Sequence, residues 1–379
     1  MSLLGIHLTL LVGPTVPVPA HPLLAESIEQ VKVTQQDTGR SGFQVTFRAG
    51  RGGPLGALDY PLAVDPLLKT TNRVILMATV GVVPRVLMDG IITNKELEPG
   101  DRPGRAKVTI TGEDVSLMMD LHEKSVEHPA QPEMVIALKL IAMYATYGLV
   151  PMVLPPPSID VPIPIQRTPV QQGTDLAYLQ EMAGRFGYVF YIVPGPLPGT
   201  NRAYWGPSVR VGIPQRAITV NMGAETNATL GAFRTNALEP TQVDGQVQDS
   251  LSGTALPVKT FAPLRPPLAT QPVWMVNQPH VRTTQSRESG VNVTQAYARA
   301  QGTTDAAADA VTVEGSLDAA RYGGVLEPRA LVGVRGAGYQ HDGLWYVKKV
   351  THELKPGSYQ QTFELAREGH GSTVPAVIP

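Results

Sequence analysis

The sequence predicts a mainly β chain with α insertions, an α+β protein in which two related antiparallel β-barrels accompany a small helix-containing domain. Three observations predict this class. Apolar residues alternate in period two from Glu26 to about Glu113, the mark of half-buried strands. Gly 37 and Pro 35 among 379 residues supply the many turns that short strands need. An ordered set of turn dipeptides also recurs between the two ends.

Composition sets the outer bounds. A chain of 379 residues has room for two or three domains with buried cores, and 42% hydrophobic content fits a globular protein. Lys+Arg 31 against Asp+Glu 32 leaves a net charge of -1, so no global field recruits nucleic acid or an anionic membrane, and sequence-specific nucleic-acid binding is not expected. Cys 0 removes disulfides, thiolate metal sites and cysteine nucleophiles together. The opening "MSLLGIHLTLLVGPTVPVPAHP" is apolar, yet it lacks a basic leader and is interrupted by Gly5, Gly13, Pro14 and Pro17; it reads as an extended segment or strand and not as a signal peptide. No apolar run reaches the roughly 20 residues of a membrane helix, so no membrane segment is expected.

From Glu26 to Glu113 the alternation predicts strands. "GFQVTFRAG" sets Phe43, Val45 and Phe47 against Gln44, Thr46 and Arg48, and "AKVTITGED" sets Val108 and Ile110 against Lys107, Thr109 and Thr111. "RVILMATVG" is nearly continuous, as a strand covered on both faces would be. "DVSLMMDLHEKS" and "PEMVIALKLIAMYATYG" have helical spacing; in the second, Met134, Ala137, Leu138, Ile141 and Ala145 form the stripe and Gly148 stands at the stop. The Pro-rich "PMVLPPPSIDVPIPIQRTP" predicts an extended connector. Next, Thr174 or Asp175 caps a helix with Leu176, Leu179, Ala183 and Phe186 on its buried side; Gly187 supplies a left-handed stop and "YVFYI" a strand. A later helix is expected across "TQAYARAQGTTDAAADA". The domain reading is a first barrel over 1–120 completed by about 205–240, an inserted helical domain over 121–204, and a second barrel over 241–379 with a helix near 293–310.

The repeat pairs "MDGIITNKELEPG" and "KVTITGED" with "HDGLWYVKKVTHELKPG" and "YQQTFELARE". Asp89-Gly90 answers Asp342-Gly343, and Pro99-Gly100 answers Pro356-Gly357, which predicts a strand, a turn, a strand, a turn and a strand in each copy.

Chemistry is sought and not found. In "HEKSVEH", His122 and His128 are six apart, so they miss the spacing of a helical zinc site and read as a solvated helix end. "GRGGPLG" fits neither the dinucleotide nor the phosphate-loop fingerprint and reads as a turn. His341, Asp342, His352 and Glu353 crowd together in sequence, but Asp342 is better explained as a turn residue and His352 as a strand residue. No nucleophile elbow occurs. Tyr204 and Trp205 in "AYWGP" admit a ring platform but better suit a turn plugged into a core. Asn227 and Asn292 begin Asn-x-Thr triplets, which matter only in a secreted chain.

"QQGTDLAYLQEMAGRFGYVFYI" resembles the helix-strand signature of the tail hub family that includes the phage late control D protein and the hub part of the valine-glycine repeat G spike proteins of type VI secretion. Gln172, Thr174, Asp175, Leu179, Ala183 and Gly187 carry it, with Phe190 and Tyr191 in the strand. The closing stretch is similar to that family's last barrel through Asp342, Gly343, Val350, His352, Phe363, Leu365 and Arg367. The resemblance implies two tube-like barrels in each chain and a structural hub at the centre of a contractile tail or phage-like injection system. It implies a homotrimer that adapts a sixfold inner tube to a threefold spike and leaves a lumen for cargo. The implied partners are further copies of the chain, the tube protein above, a separate spike below, and baseplate wedge and LysM-type tube-adaptor proteins. Assembly is expected in the cytoplasm as part of the particle. No catalytic, cofactor or metal residues are implied, so the chain is not expected to be an enzyme. The alternative is a tail-associated cell-wall-binding or wall-degrading protein.

Overall fold

The computed structural model of the chain describes residues 6–50, 60–81, 83–101, 105–165, 167–248, 253–286 and 291–374. The greater part of "GRGGPLG" lies outside the described residues. The fold is mainly β with α insertions, and one large mixed sheet runs through both ends of the chain. Alternation dictates its local form: Val31, Val33, Val45, Phe47, Val108 and Ile110 point into one core while Lys32, Thr34, Gln44, Thr46, Thr109 and Thr111 point out of it.

Two units of matching topology make up the sheet. In the first, strands Arg73–Val80, Val83–Glu98 and Ala106–Asp114 form an antiparallel meander. The last of these pairs with Gly42–Ala49, which pairs with Ile28–Gln36, and Ile6–Gly13 closes the far side against Arg73–Val80. In the second, Leu331–Arg335, Gly343–Lys355 and Ser358–Arg367 form the meander. The last of these pairs with Val311–Asp318, whose other side takes Ala228–Leu230 and Arg234–Thr235. Gln215–Thr219 occupies the far side against Leu331–Arg335, here in parallel. The strands between 205 and 240, expected to complete the first barrel, therefore serve the second unit. Among the described residues no ring of strands closes within either unit; the two share one open sheet.

The repeat is real in topology, and one of its turns is not a turn. Pro356-Gly357 makes the expected two-residue hairpin, with Lys355 opposite Ser358 and Gly357 at φ +80°. Asp342 and Gly343 lie where a turn becomes a strand. Asp89 and Gly90 instead sit inside the 16-residue strand Val83–Glu98, and the chain reverses earlier, around Gly81. Their composition has other reasons. Asp89 is buried and takes a bidentate ion pair from Arg73, with both N–O distances 2.7 Å, while a side chain at Gly90 would collide with the Glu113 carbonyl.

The inserted unit has its own core of Leu176, Leu179, Met182, Ala183, Phe186 and Trp205 beside Ile136, Ala137, Leu140 and Ile141. Helix Asp175–Gly184 leads into strand Val189–Pro194, which pairs with Asn201–Gly206, which in turn runs parallel to Leu149–Val153. The expected first helix here is only a short 3-10 turn, Val115–Met119, started by the Asp114 carboxylate. "HEKSVEH" is a strand, Lys124–Glu127, and not a solvated helix end; its His128 is buried and stacks on Tyr178. Helix Glu133–Ala142 buries Ile136, Ala137, Leu140 and Ile141; Ala137 and Ile141 are among the expected residues, while the expected Leu138 is exposed. Residues 241–306 add a small sheet covered by helix Val293–Ala306, whose first turn is capped by Asn292, the residue noted above only as an Asn-x-Thr triplet.

Candidate assembly surface

The two units meet edge to edge. Residues Lys349–Leu354 pair antiparallel with Gln36–Val31, so one backbone ladder crosses from the C-terminal to the N-terminal half of the chain. On the core side of this junction His352 is buried. Its Nδ1 lies 2.9 Å from the Tyr359 hydroxyl and 3.2 Å from the Gln361 amide nitrogen, and its Nε2 lies 3.3 Å from the Gln35 amide oxygen. Burial pushes its pKa down to about 3, so the ring is neutral at neutral pH and serves as a hydrogen-bonding spacer.

Across the junction and the strands beside it, the opposite side of the joined sheet is polar. Opposed residues run in one row Thr229, Ser316, Thr362, Thr351 and Thr34. A second row runs Asp318, Gln360, Glu353, Lys32, Gln44, Thr111 and Asn94, and a third Gln30, Thr46, Thr109 and Glu96. Thr34 meets Thr351 at 3.1 Å, Thr46 meets Thr109 at 3.3 Å, and Gln30 donates to Glu353 across the junction at 2.9 Å. The band mixes both signs of charge, with Lys107 paired to Glu29 at 3.2 Å and Glu353 opposite Lys32, so it carries hydration. Such a sheet has one face for the core and one for water, and here the wet face continues across both units.

Arg329 fastens the junction to the inserted unit. It donates to the Gln36 carbonyl at 2.6 and 3.0 Å, to Ser41 Oγ at 3.1 Å and to the Ile192 carbonyl at 3.0 Å, and its guanidinium lies 4.0 Å from the centre of the Tyr191 ring. Burial lowers its pKa. No sequence pattern singles it out, because its partners are carbonyls from distant segments.

Solved structures share this fold over nearly the whole chain. The chain is similar to the tail protein from Neisseria meningitidis MC58, with TM-score 0.63 and 13% identity over 96% of this chain and 97% of that one. It is also similar to the prophage MuSo2 43 kDa tail protein from Shewanella oneidensis, with TM-score 0.61 and 10% identity over 96% of this chain and 98% of that one. The chain has a phage tail-protein fold. A third likeness, TM-score 0.53 at 10% identity over 93% of this chain and 77% of that one, is to the E. coli c3393 protein, a component of the type VI secretion system. No family model and no curated protein matches the sequence.

Within this fold most residues singled out from sequence are buried or hydrogen-bonded, while Gln172 is exposed. Thr174 is the helix cap: its Oγ1 accepts from the Ala177 amide at 3.2 Å and donates to Asp120 at 2.6 Å. Asp175, the other capping candidate, is buried behind it. Burial alone would raise its pKa, but hydrogen bonds from Gln171, Lys124 and Tyr144 outweigh that and hold it below the usual carboxylate value. Gln172 is exposed on a short strand; the buried glutamine is its neighbour Gln171, which the resemblance passed over. Leu179 and Ala183 lie in the inserted core, and the Leu179 carbonyl accepts from Trp205 Nε1 at 3.1 Å. Gly187 has φ +64°, as expected of a left-handed stop, and it also packs directly on the Gly302 backbone of helix Val293–Ala306.

In the closing motif Asp342 accepts from the Ala337 amide at 2.8 Å, and Gly343 takes φ +117° with Ser372 against it. Phe363 covers Gly315 on the neighbouring strand, while Val350 and Leu365 lie in the second core. Arg367 donates to the Gln340 and Asp342 carbonyls, with its guanidinium 4.2 Å from the centre of the Trp345 ring, so the last residue of the motif staples the turn. Burial lowers Arg367 to about 10, which leaves it charged at neutral pH. His341 stacks on Phe233 and lies 5.6 Å from His370. Trp205 is fully buried in a strand and Tyr204 stacks on Tyr191, so "AYWGP" offers no open ring platform. Among the described residues no group of three or more His, Asp or Glu is placed to hold a metal ion, and no helix is long and apolar enough to cross a membrane.

Proposed function

We propose that this chain is the structural central hub of a contractile phage tail or phage-like injection machine. The observation that carries the reading is the pair of like units joined edge to edge in one sheet whose outer face is polar across the junction. Repeating that pair around an axis gives twice as many units as chains, which is what an adapter between a sixfold tube and a threefold spike needs. The polar face then lines a lumen for cargo, and the protein acts through shape and not through catalysis. In this reading three copies form the ring over a spike and under the inner tube, beside wedge and tube-adaptor proteins, and assemble in the cytoplasm. The domains are the first unit, near 1–120, the inserted unit, near 121–204, and the second unit in the C-terminal half, to which strands from 215 onward are added. The full-length likeness to tail proteins supports the reading. So does the likeness to a component of the type VI secretion system.

The test is mass and image together. Light scattering on the full chain, alone and with co-expressed tube and spike, should give multiples of three, and electron micrographs should place the chain at the tube's end. A stable dimer retained beside both partners rejects the hub.

A further inference from the structure

We propose that the chain's own internal junction is the template for its contact with a second copy, through strand pairing between residues 94–97 of one copy and 228–231 of the next. The inference rests on the hub reading and specifies the contact that closes its ring.

The two units are superposable by their pairings. Phe43 opposes and covers Gly112 in the first unit, and Phe363 opposes and covers Gly315 in the second, on equivalent strand pairs. From that anchor Ile92, opposite Gly112, corresponds to Val350, opposite Phe363. Asn94, Lys95, Glu96 and Leu97 then correspond to Thr351, His352, Glu353 and Leu354. On the adjoining strand Val33, opposite Phe43, corresponds to Leu230, opposite Gly315.

The second unit uses its edge and the first does not. Thr351–Leu354 pair outward with Thr34–Val31, whereas among the described residues no strand pairs with the outer side of 94–98 or of Ala228–Leu230. Leu354 is 5% exposed in the junction, and its counterpart Leu97 is 37% exposed. Lys95, in the place of buried His352, donates to the Ala63 carbonyl, and a charge there guards an unpaired edge in the free chain. Transferring the junction register sets Asn94 opposite Gly231, Lys95 opposite Leu230, Glu96 opposite Thr229 and Leu97 opposite Ala228. Polar residues then fall on the polar face, Leu97 is covered, and the sheet runs on unbroken from copy to copy.

The absence of native cysteine makes the register directly testable. Opposed residues in an antiparallel pair have Cα atoms roughly 4.5–5.5 Å apart, within disulfide reach. The full chain carrying Glu96→Cys and Thr229→Cys should oxidise to a closed covalent ring of three chains, while Glu96→Cys with Leu230→Cys, one residue out of register, should not. Leu97→Lys should weaken association at least about tenfold with the melting of the monomer unchanged. If three copies associate and the Glu96–Thr229 pair stays unlinked, the pairing is wrong and the hub reading stands. Wild-type association by Leu97→Lys overturns it likewise. A chain that remains monomeric at its highest soluble concentration also overturns the pairing, and the hub then depends on whether micrographs find the chain in particles.

Discussion

Gly187 shows how one residue answers to two constraints. A helix stop requires the left-handed backbone, and contact with Gly302 requires that no side chain be present. Gly187→Val should therefore cost more than the roughly 1–2 kcal/mol of the backbone conformation alone. Gly302→Ala, at an ordinary helical position, should also destabilise, because its methyl would press on the Phe186–Gly187 backbone. Thermal unfolding of both variants beside Gln180→Ala checks this; equal melting of all three would remove the contact from the account. His352 makes a second residue-scale prediction. Its folded pKa of about 3 lies below the ordinary 6.5, so the unfolded chain binds the proton first. This group's contribution is intact above pH 6.5 and is lost as pH falls toward 3, at up to about 1.4 kcal/mol per pH unit. His352→Gln should flatten the acid decline of the melting temperature. An unchanged slope would mean that the acid response lies elsewhere.

At the scale of elements, the helix-strand stretch around Asp175–Gly184 is a packing unit held to its surroundings by buried polar fasteners. Phe186→Ala should cost roughly 3–5 kcal/mol, since the ring is buried between Tyr188 and Trp205. Asn292→Ala should cost about 1 kcal/mol through the lost cap of the later helix. Arg329→Met keeps the apolar stem but abandons three backbone and hydroxyl acceptors of separate elements, so roughly 3 kcal/mol or more should be lost. Denaturant titration ranks these. A milder loss at Arg329 than at Asn292 would show that the junction does not depend on that side chain.

For the whole molecule, the hub proposed above, with its polar band lining the lumen, predicts a separation of folding from delivery. Thr34→Trp and Thr351→Trp place bulk on the wet side of the sheet, where no core is disturbed. Particles should assemble, and the monomer should melt within about 0.5 kcal/mol of wild type, as surface substitutions usually do. Cargo delivery should fall. Failed assembly with a folded monomer would instead place this face against a neighbouring protein, outside any lumen.

What the sequence determined by itself was local. Alternation announced strands of the first unit, Thr174 or Asp175 the start of a helix, Gly187 its stop and Pro356-Gly357 a hairpin, because each depends on backbone preferences of a few adjacent residues. The ordered repeat even made two like units legible. Only the tertiary structure decided which strand edges meet, since backbone edges are chemically alike and their pairing is settled by distant packing. It put Asp89-Gly90 inside a strand, where Arg73 needs the carboxylate and the Glu113 carbonyl needs the space. It gave the strands from 215 to 235 to the C-terminal unit. It also joined the two units at Lys349–Leu354, whose partners lie more than three hundred residues away in sequence and so leave no local trace.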